Sequence, residues 1–456
     1  MRKLLAIMLC RLCHFVGKHL GRGSSLPGKL ALAVCPDILG RLQLPGQVIA
    51  VTGSGGKSST VEMAAALCRA AGLAVICNEE GSNQIEGIAT LVLSHATLAG
   101  RVKAQVLLME VDERYTASVF SYIRPARLVV TNLCRDQLTR NGHPEEVYAS
   151  IHAAIWPETE LLLNGDDPLS SCLARGRGRV RWFGVDRCGI SGDHPMGVYH
   201  DGAYCPVCKE PMEYTYVNYS HMGGYRCMYC GHARPRPDYA VVDVDLAGGS
   251  LVLEGDIRIH LSHSGISHVY NVLAAWAIGC SLGIPGREAA RILDGYRLQN
   301  GRIQSFTLGR HQGMLLVSKL ENSVAYDTSL QYIAADKEDC TVLVIVDAVS
   351  RKYPTCETSW LWDVDFGLLR VPHVKRILLS GRYCRDLAER FLLLGLAGWS
   401  IQPDIAAAAA DIRGQGEEKV YVVTCFSDKD KFLACLEVPR GGCSVPDKRG
   451  KLWKYA

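Results

Sequence analysis

The stretch Thr52-Gly53-Ser54-Gly55-Gly56-Lys57-Ser58-Ser59-Thr60 constrains this chain more than any other. An apolar run, Gln47–Thr52, leads into it and a helix-like segment, Ser58–Ala71, leads out. A glycine-rich turn between a strand and a helix brings backbone N–H groups close to phosphate oxygens, and the helix N-terminus adds partial positive charge. On that reading Gly53, Gly55, Gly56, Ser58 and Ser59 cradle the phosphates of ATP and Lys57 reaches the terminal ones. The Ser58 hydroxyl is the expected ligand to Mg²⁺. The commoner phosphate loop has a glycine where Val51 stands, so this is the shorter Thr-Gly-x-x-Gly-Lys-Ser form.

Strand-like runs recur at Leu73–Cys77, Val106–Val111, Leu128–Thr131 and Leu161–Leu163, separated by intervals of helical length. This alternation predicts βαβ units and a mainly parallel sheet. The run ending at Glu110 finishes in carboxylates, at the edge where open α/β sheets place ligands, so Glu110 is a second expected Mg²⁺ ligand. A second α/β series has strand candidates at Met314–Val317, Val342–Val346, Arg376–Leu379 and Val420–Thr424. The length, 456 residues, suits about three units of roughly 150 residues each. The expected division is an N-terminal basic segment (1–45), a central ATP-binding domain (46–305) and a C-terminal α/β domain (306–456).

Cysteine use sets one stretch apart. Of 19 cysteines, four form two Cys-x-x-Cys knuckles, Cys205/Cys208 and Cys227/Cys230, with 18 residues between. Four thiolates at that spacing predict a structural Zn²⁺ ribbon, inserted at about 203–236, rather than disulfides or free thiols. The remaining cysteines are scattered and the total is odd, which fits a reduced, cytoplasmic compartment.

Several segments together resemble the Mur ligases of the MurT type. Besides the short phosphate loop, these are Asn78-Glu79-Glu80-Gly81-Ser82-Asn83, Glu110-Val111-Asp112-Glu113, Thr131-Asn132-Leu133-Cys134-Arg135-Asp136-Gln137, Leu163-Asn164-Gly165-Asp166-Asp167-Pro168, His268-Val269-Tyr270-Asn271-Val272-Leu273-Ala274-Ala275 and Asn300-Gly301-Arg302. The resemblance implies a Mur-ligase central domain carrying the ribbon, with Asn271 and Arg302 near the nucleotide. It also implies a carboxylate activated by ATP as an acyl phosphate and amidated with ammonia. The acceptor implied is the α-carboxyl of D-glutamate in the lipid II stem peptide. The implied nitrogen source is a GatD-like class I glutaminase subunit, since no glutaminase elbow is present in the chain.

Departures from the pattern are specific. Glu357 stands just before Ser359-Trp360-Leu361-Trp362-Asp363, where the family carries an aspartate thought to complete the partner's catalytic triad. Asn322-Ser323-Val324-Ala325-Tyr326-Asp327 keeps the asparagine of its segment but lacks the family's proline and glycine. His152 falls near the position of the carbamylated lysine of other Mur ligases. These changes leave open a Mur-like ligase with another acceptor, or an ATP-binding scaffold that has lost catalysis.

The N-terminus reads as a basic amphipathic helix over Met1–Leu20, its apolar run too short to span a bilayer. It packs on the body or rests at the inner membrane surface. Net charge is only +4 and nucleic acid is not an expected partner, although a ribbon beside Arg226, Arg234 and Arg236 also suits a nucleic-acid-binding ATPase.

Overall fold

In the computed structural model the apolar runs pair into two sheets. It describes residues 1–19, 25–78, 82–298, 303–349, 356–414 and 419–436. The expected sites Gly301 and Arg302, and residues Glu79 to Gly81, lie outside these. The first half supplies β1 (Gln47–Thr52), β2 (Val75–Cys77), β3 (Val106–Glu110), β4 (Arg127–Val130), β5 (Glu160–Asn164) and β6 (Val180–Val185). Next come β7 (Glu213–Tyr219), β8 (Met222–Arg226), β9 (Tyr239–Asp245), β10 (Ser250–Leu253) and β11 (Ile257–His260). All but β7 and β8 form one sheet in the order β11-β10-β9-β6-β5-β4-β1-β3-β2. Its pairings from β2 to β9 are parallel, and β10 and β11 extend it antiparallel.

Every residue of β3, and all of β1 after Gln47, is buried, as strands covered on both faces require. Helix α3 (Lys57–Ala70) and the helix Ile266–Ser281 cover one face of the sheet. The other carries α1 (Arg2–His19), α2 (Leu26–Val34) and α4 (Ile85–Ser94). The end of the Gly/Ser/Pro stretch at 21–28 is helix. Pro27 sits at the start of α2, where no N–H is needed. A Cβ on Gly28 would fall 1.9 Å from the Glu86 carbonyl, so this glycine lets α2 close on α4.

The second sheet comprises β12 (Ile303–Leu308), β13 (His311–Ser318), β14 (Cys340–Ile345), β15 (Val374–Ser380), β16 (Trp399–Ile401) and β17 (Lys419–Cys425), in the order β12-β13-β17-β14-β15-β16. Only β12 runs antiparallel to its neighbour. The hairpin β7–β8 stands apart and carries the cysteine knuckles at its base.

Candidate active site and metal centre

The phosphate loop sits at the C-terminal end of β1, between the ends of β3 and β4. Gly53 (φ 130°) and Gly56 (φ 81°) occupy conformations that favour glycine. Both positions also lack room: a Cβ on Gly53 would meet Thr131 Oγ1 at 2.4 Å, and one on Gly56 would meet Asn271 Oδ1 at 2.1 Å. The structure therefore presses Asn271 of the helix Ile266–Ser281 against the loop. Asn132 fixes the other side, its carbonyl accepting from Ser54 N (2.9 Å) and its side chain from Gly55 N (2.9 Å). Gly56 caps α3 with no side-chain bond, so the first-turn N–H groups, Ser58 and Ser59 included, are held by no cap. A loop with that backbone and uncapped helix start has the donor set a nucleotide phosphate requires.

Lys57 is buried, and its Nζ donates to the Gly53 carbonyl and to Glu113 Oε2 (2.7 Å). Burial alone would pull the ammonium down, but Glu113, Asp136 and Glu110 hold it above the usual lysine range. Burial likewise pushes Glu113 up, and Lys57 and Lys319 outweigh it and hold that carboxyl below the usual range. Glu110, the expected metal ligand, ends β3 beside Val51 and accepts from Asn83 Nδ2 (2.9 Å). Asn78 brackets its backbone on both sides. In the sequence Glu113 is only the last residue of the strand-end motif, with no role assigned to it: the short 3-10 turn after β3 curls it back under the loop. The signal is three carboxylates within four positions, too close together to rank without the turn.

The C-terminal half reaches this site through the segment after β13. Lys319 Nζ donates to the Ser54 carbonyl (3.0 Å) and Asp136 (2.7 Å), and Asn322 Nδ2 donates to Asp136 (2.8 Å). Gln137 N donates to the Glu321 carbonyl, and the Glu321 carboxylate accepts from Thr139 Oγ1 (2.6 Å). Gln137 and Glu321 both hold φ near 52°, rare for side-chain-bearing residues, and they face one another across the seam. Asn322 also caps the helix Ser323–Ala334 through Ala325 N. The altered segment 322–327 thus forms a capped helix start docked on Asp136. Beside Asp136, a cavity of about 240 Å³ is lined by Arg114, Arg140, Asn141 and Glu146. Asn141 donates to Glu113, linking that cavity to the lysine.

Other expected residues lie further out. Glu357 is exposed, accepts from Ser359 N (2.6 Å), and is near enough to Glu321 to push its carboxyl up, after burial. His152 is exposed and stacks on Tyr148, 5.6 Å between centroids. His268, three residues before Asn271, is buried and stacks on His263 at 4.0 Å. Burial pushes the two rings down to about 3 and about 4, which keeps both neutral at pH 7.

The four cysteines converge. Their Sγ atoms all lie within 4.8 Å, with Cys205–Cys230 at 3.5 Å and Cys208–Cys227 at 3.4 Å. A tetrahedron with metal–sulfur bonds of about 2.3 Å has edges of about 3.8 Å. The two knuckles repeat one geometry. Lys209 N donates to Cys205 O and Gly231 N to Cys227 O, each from a left-handed residue (φ 66° and 75°). The site fits a divalent metal of the thiolate-binding kind.

Two aspartates tie this centre to the nucleotide loop. Arg234, just past the second knuckle, binds fully buried Asp166 (2.6 Å), which also accepts from the Tyr270 hydroxyl (2.7 Å), beside Asn271. His221, in the β7–β8 turn, lies 3.4 Å from Asp167, which accepts from Leu133 N (2.6 Å), beside Asn132. The ribbon thus braces both flanks of the loop.

These features together define a ligase of the Mur type. The fold is similar to that of a pseudomurein peptide ligase type C from Methanothermus fervidus (TM-score 0.66, 18% identity, 87% of this chain and 79% of that one). It is also similar to MurF ligase from Thermotoga maritima, solved in complex with ADP (TM-score 0.59, 14% identity, 90% and 83%). The Mur ligase middle domain model matches residues 51–186, and the MurT ligase C-terminal model matches 320–428. The lipid II isoglutaminyl synthase subunit MurT of Streptococcus pneumoniae is 30% identical over 440 residues, covering 95% of this chain and 96% of that one. Its counterpart in Staphylococcus aureus is 27% identical over 396 residues, covering 86% and 88%. The chain belongs to the MurT family.

Proposed function

We propose that this protein is the synthetase subunit of a lipid II isoglutaminyl synthase and amidates the α-carboxyl of D-glutamate in the stem peptide. The observation that carries the reading is the kinship of 95% of the chain, both halves included, with a subunit of that name. ATP binds over Gly53–Ser59, with Asn271 beside it, and the resemblance to the family assigns Arg302 to the nucleotide as well. Ser58 and Glu110 would hold Mg²⁺, which would supply neutralisation of the phosphate charge. A carboxylate oxygen attacks the γ-phosphorus, the bond to ADP breaks, and an acyl phosphate forms. Ammonia then adds to the acyl carbon, phosphate leaves and a proton is lost, giving the amide.

Lys57 stabilises charge on the transferring group, a role that needs no proton transfer and suits an ammonium held charged by three carboxylates. It must first exchange Glu113 for phosphate. The cavity at Arg114 and Arg140 suits an anionic acceptor and adjoins the lysine through Asn141. Zn²⁺ on Cys205, Cys208, Cys227 and Cys230 is structural, because four thiolates leave no open position. The relatives' designation as a subunit supports a partner chain, and a GatD-like glutaminase supplies ammonia. The exposed Glu357 carboxylate orients the partner's histidine. The enzyme works in the cytoplasm at the inner membrane surface.

The test is amidation of purified lipid II with ATP, Mg²⁺ and ammonium, followed by mass spectrometry, with Lys57→Ala as control and glutaminase plus glutamine as a second arm. A product one mass unit lighter, dependent on Lys57, is expected. ATP binding without amide in either arm would overturn the assignment.

A further inference from the structure

Helix α1 has its polarity turned outward. One face packs on the body through Ala6, Ile7 and Cys10, all fully buried. A helix lying on a globular core should then show charge to solvent. Instead the opposite face carries Leu5, Met8, Leu12 and Phe15, exposed by 53%, 45%, 63% and 64%. These recur at intervals of three and four and form one continuous stripe along the helix. Leu26 of α2, 61% exposed, adds to it from the helix packed alongside. Single exposed leucines need no explanation, but a continuous stripe marks a contact surface.

Charge selects the occupant. Arg11 and Lys18 line one border of the stripe, Arg2 lies on the other, and Lys29 projects from α2; all four are exposed. None has an acidic partner among the described residues. Neither α1 nor α2 contains an aspartate or glutamate. An apolar ridge between cations, with no acid, is complementary to a bilayer surface with anionic headgroups. A protein partner would need to bury both ridge and cations. No helix among the described residues is long and apolar enough to cross a membrane.

We infer that α1, with the start of α2, lies flat in the interface of an anionic bilayer, the ridge among the acyl chains and the cations at headgroup level. The inference rests on the functional reading above, and deepens it by assigning the surface that brings the site to a lipid-borne acceptor.

The experiment floats the full chain with vesicles of phosphatidylglycerol and phosphatidylethanolamine, and separately with phosphatidylcholine alone. The wild type is expected to float with the anionic vesicles and weakly with the neutral ones. Leu12→Glu/Phe15→Glu should lower the affinity at least tenfold, and Arg11→Glu/Lys18→Glu should remove the preference for anionic lipid. ADP affinity and the circular dichroism spectrum, unchanged in both variants, establish that they fold. Failure of the wild type to float, or equal flotation of the Leu12/Phe15 variant, would overturn the inference. So would a wild-type dimer that this variant splits and that binds no vesicles, since the ridge would then be a protein interface. Amidation of lipid II in detergent micelles with ammonium separates the two readings. Loss of micellar amidation with flotation intact strikes only the enzyme assignment. Intact micellar amidation without flotation strikes only the membrane surface.

Discussion

The phosphate-loop corner and the seam with the C-terminal half hold the same site by opposite means. At the corner, nine consecutive residues meet the ends of two adjacent strands and one helix of the same half, and glycines at 53 and 56 are fixed by contacts with Thr131 and Asn271. At the seam, Lys319, Glu321 and Asn322 meet Ser54, Asp136, Gln137 and Thr139 across more than 180 residues of sequence. The corner is a rigid consequence of one sheet. The seam depends on how two sheets dock, and it carries the positive-φ residues Gln137 and Glu321. Nucleotide affinity should therefore belong to the corner and turnover to both.

Lys57→Ala breaks the corner and has the largest effect expected. Losing charge stabilisation at the transferring phosphoryl group should lower turnover on the order of 10²–10³-fold. It also leaves Glu113 buried without its cation, a defect of about 3–5 kcal/mol. Lys57→Met with Glu113→Gln removes both charges, so melting temperature should recover while turnover does not. Recovery of turnover in the double variant would mean that the lysine serves the fold and not the chemistry.

Lys319→Met tests the seam. Asp136 keeps only Asn322, and Ser54 loses its contact with the C-terminal half. Turnover should fall by about one to two orders of magnitude, the usual result of misplacing a reacting group. ADP affinity, measured by calorimetry, should change less than about threefold. Equal losses in both would mean that the corner and the seam are one unit.

This contrast also explains what could be read from the sequence. Lys57, the loop glycines and the four cysteines are legible because they sit in short motifs whose spacing has one chemical use. Two α/β series were legible from buried runs, since strands covered on both faces are apolar throughout. The short edge strands β12 and β16 were not, because half or more of their residues stay in contact with water. Glu113 was hidden by its neighbours Glu110 and Asp112, which share its chemistry; only the turn after β3 picks it out. Lys319 was invisible because its partners lie in the other half. Nothing in the sequence around Gly28 points to its role, because the backbone it packs against, at Glu86 and Thr90, is some sixty residues away.

The ribbon behaves like the corner in being local, and like the seam in reaching elsewhere. Cys205→Ser should remove the bound metal, read by atomic absorption. Releasing the knuckles frees Arg234 from Asp166 and His221 from Asp167, stranding two fully buried carboxylates. Uncompensated buried charge costs about 3–5 kcal/mol, or about 10 °C in melting temperature. ADP affinity should weaken with it, because the two aspartates hold the strips that carry Asn271 and Asn132. A variant that loses metal but keeps ADP affinity would show the braces to be independent of the knuckles.

Asp327 gives the smallest effect and the sharpest sign. It lies in the helix Ser323–Ala334, its Oδ2 3.0 Å from where a Cβ on Gly197 would stand, so it faces the central half. Burial first, then the nearby charges of Asp365 and Asp363, push its carboxyl up to about 7, although Asp365 N–H bonds to it. The folded state therefore keeps a proton that the unfolded chain releases near pH 4. Between those values the native state binds more protons, so stability falls as pH rises. Asp327→Asn retains the acceptor for Asp365 N–H and cannot ionise. It should raise the melting temperature by about 2 °C at pH 5 and by about 5 °C at pH 8. A gain independent of pH would mean that Asp327 is already ionised at pH 5 and that this edge of the seam carries a charge.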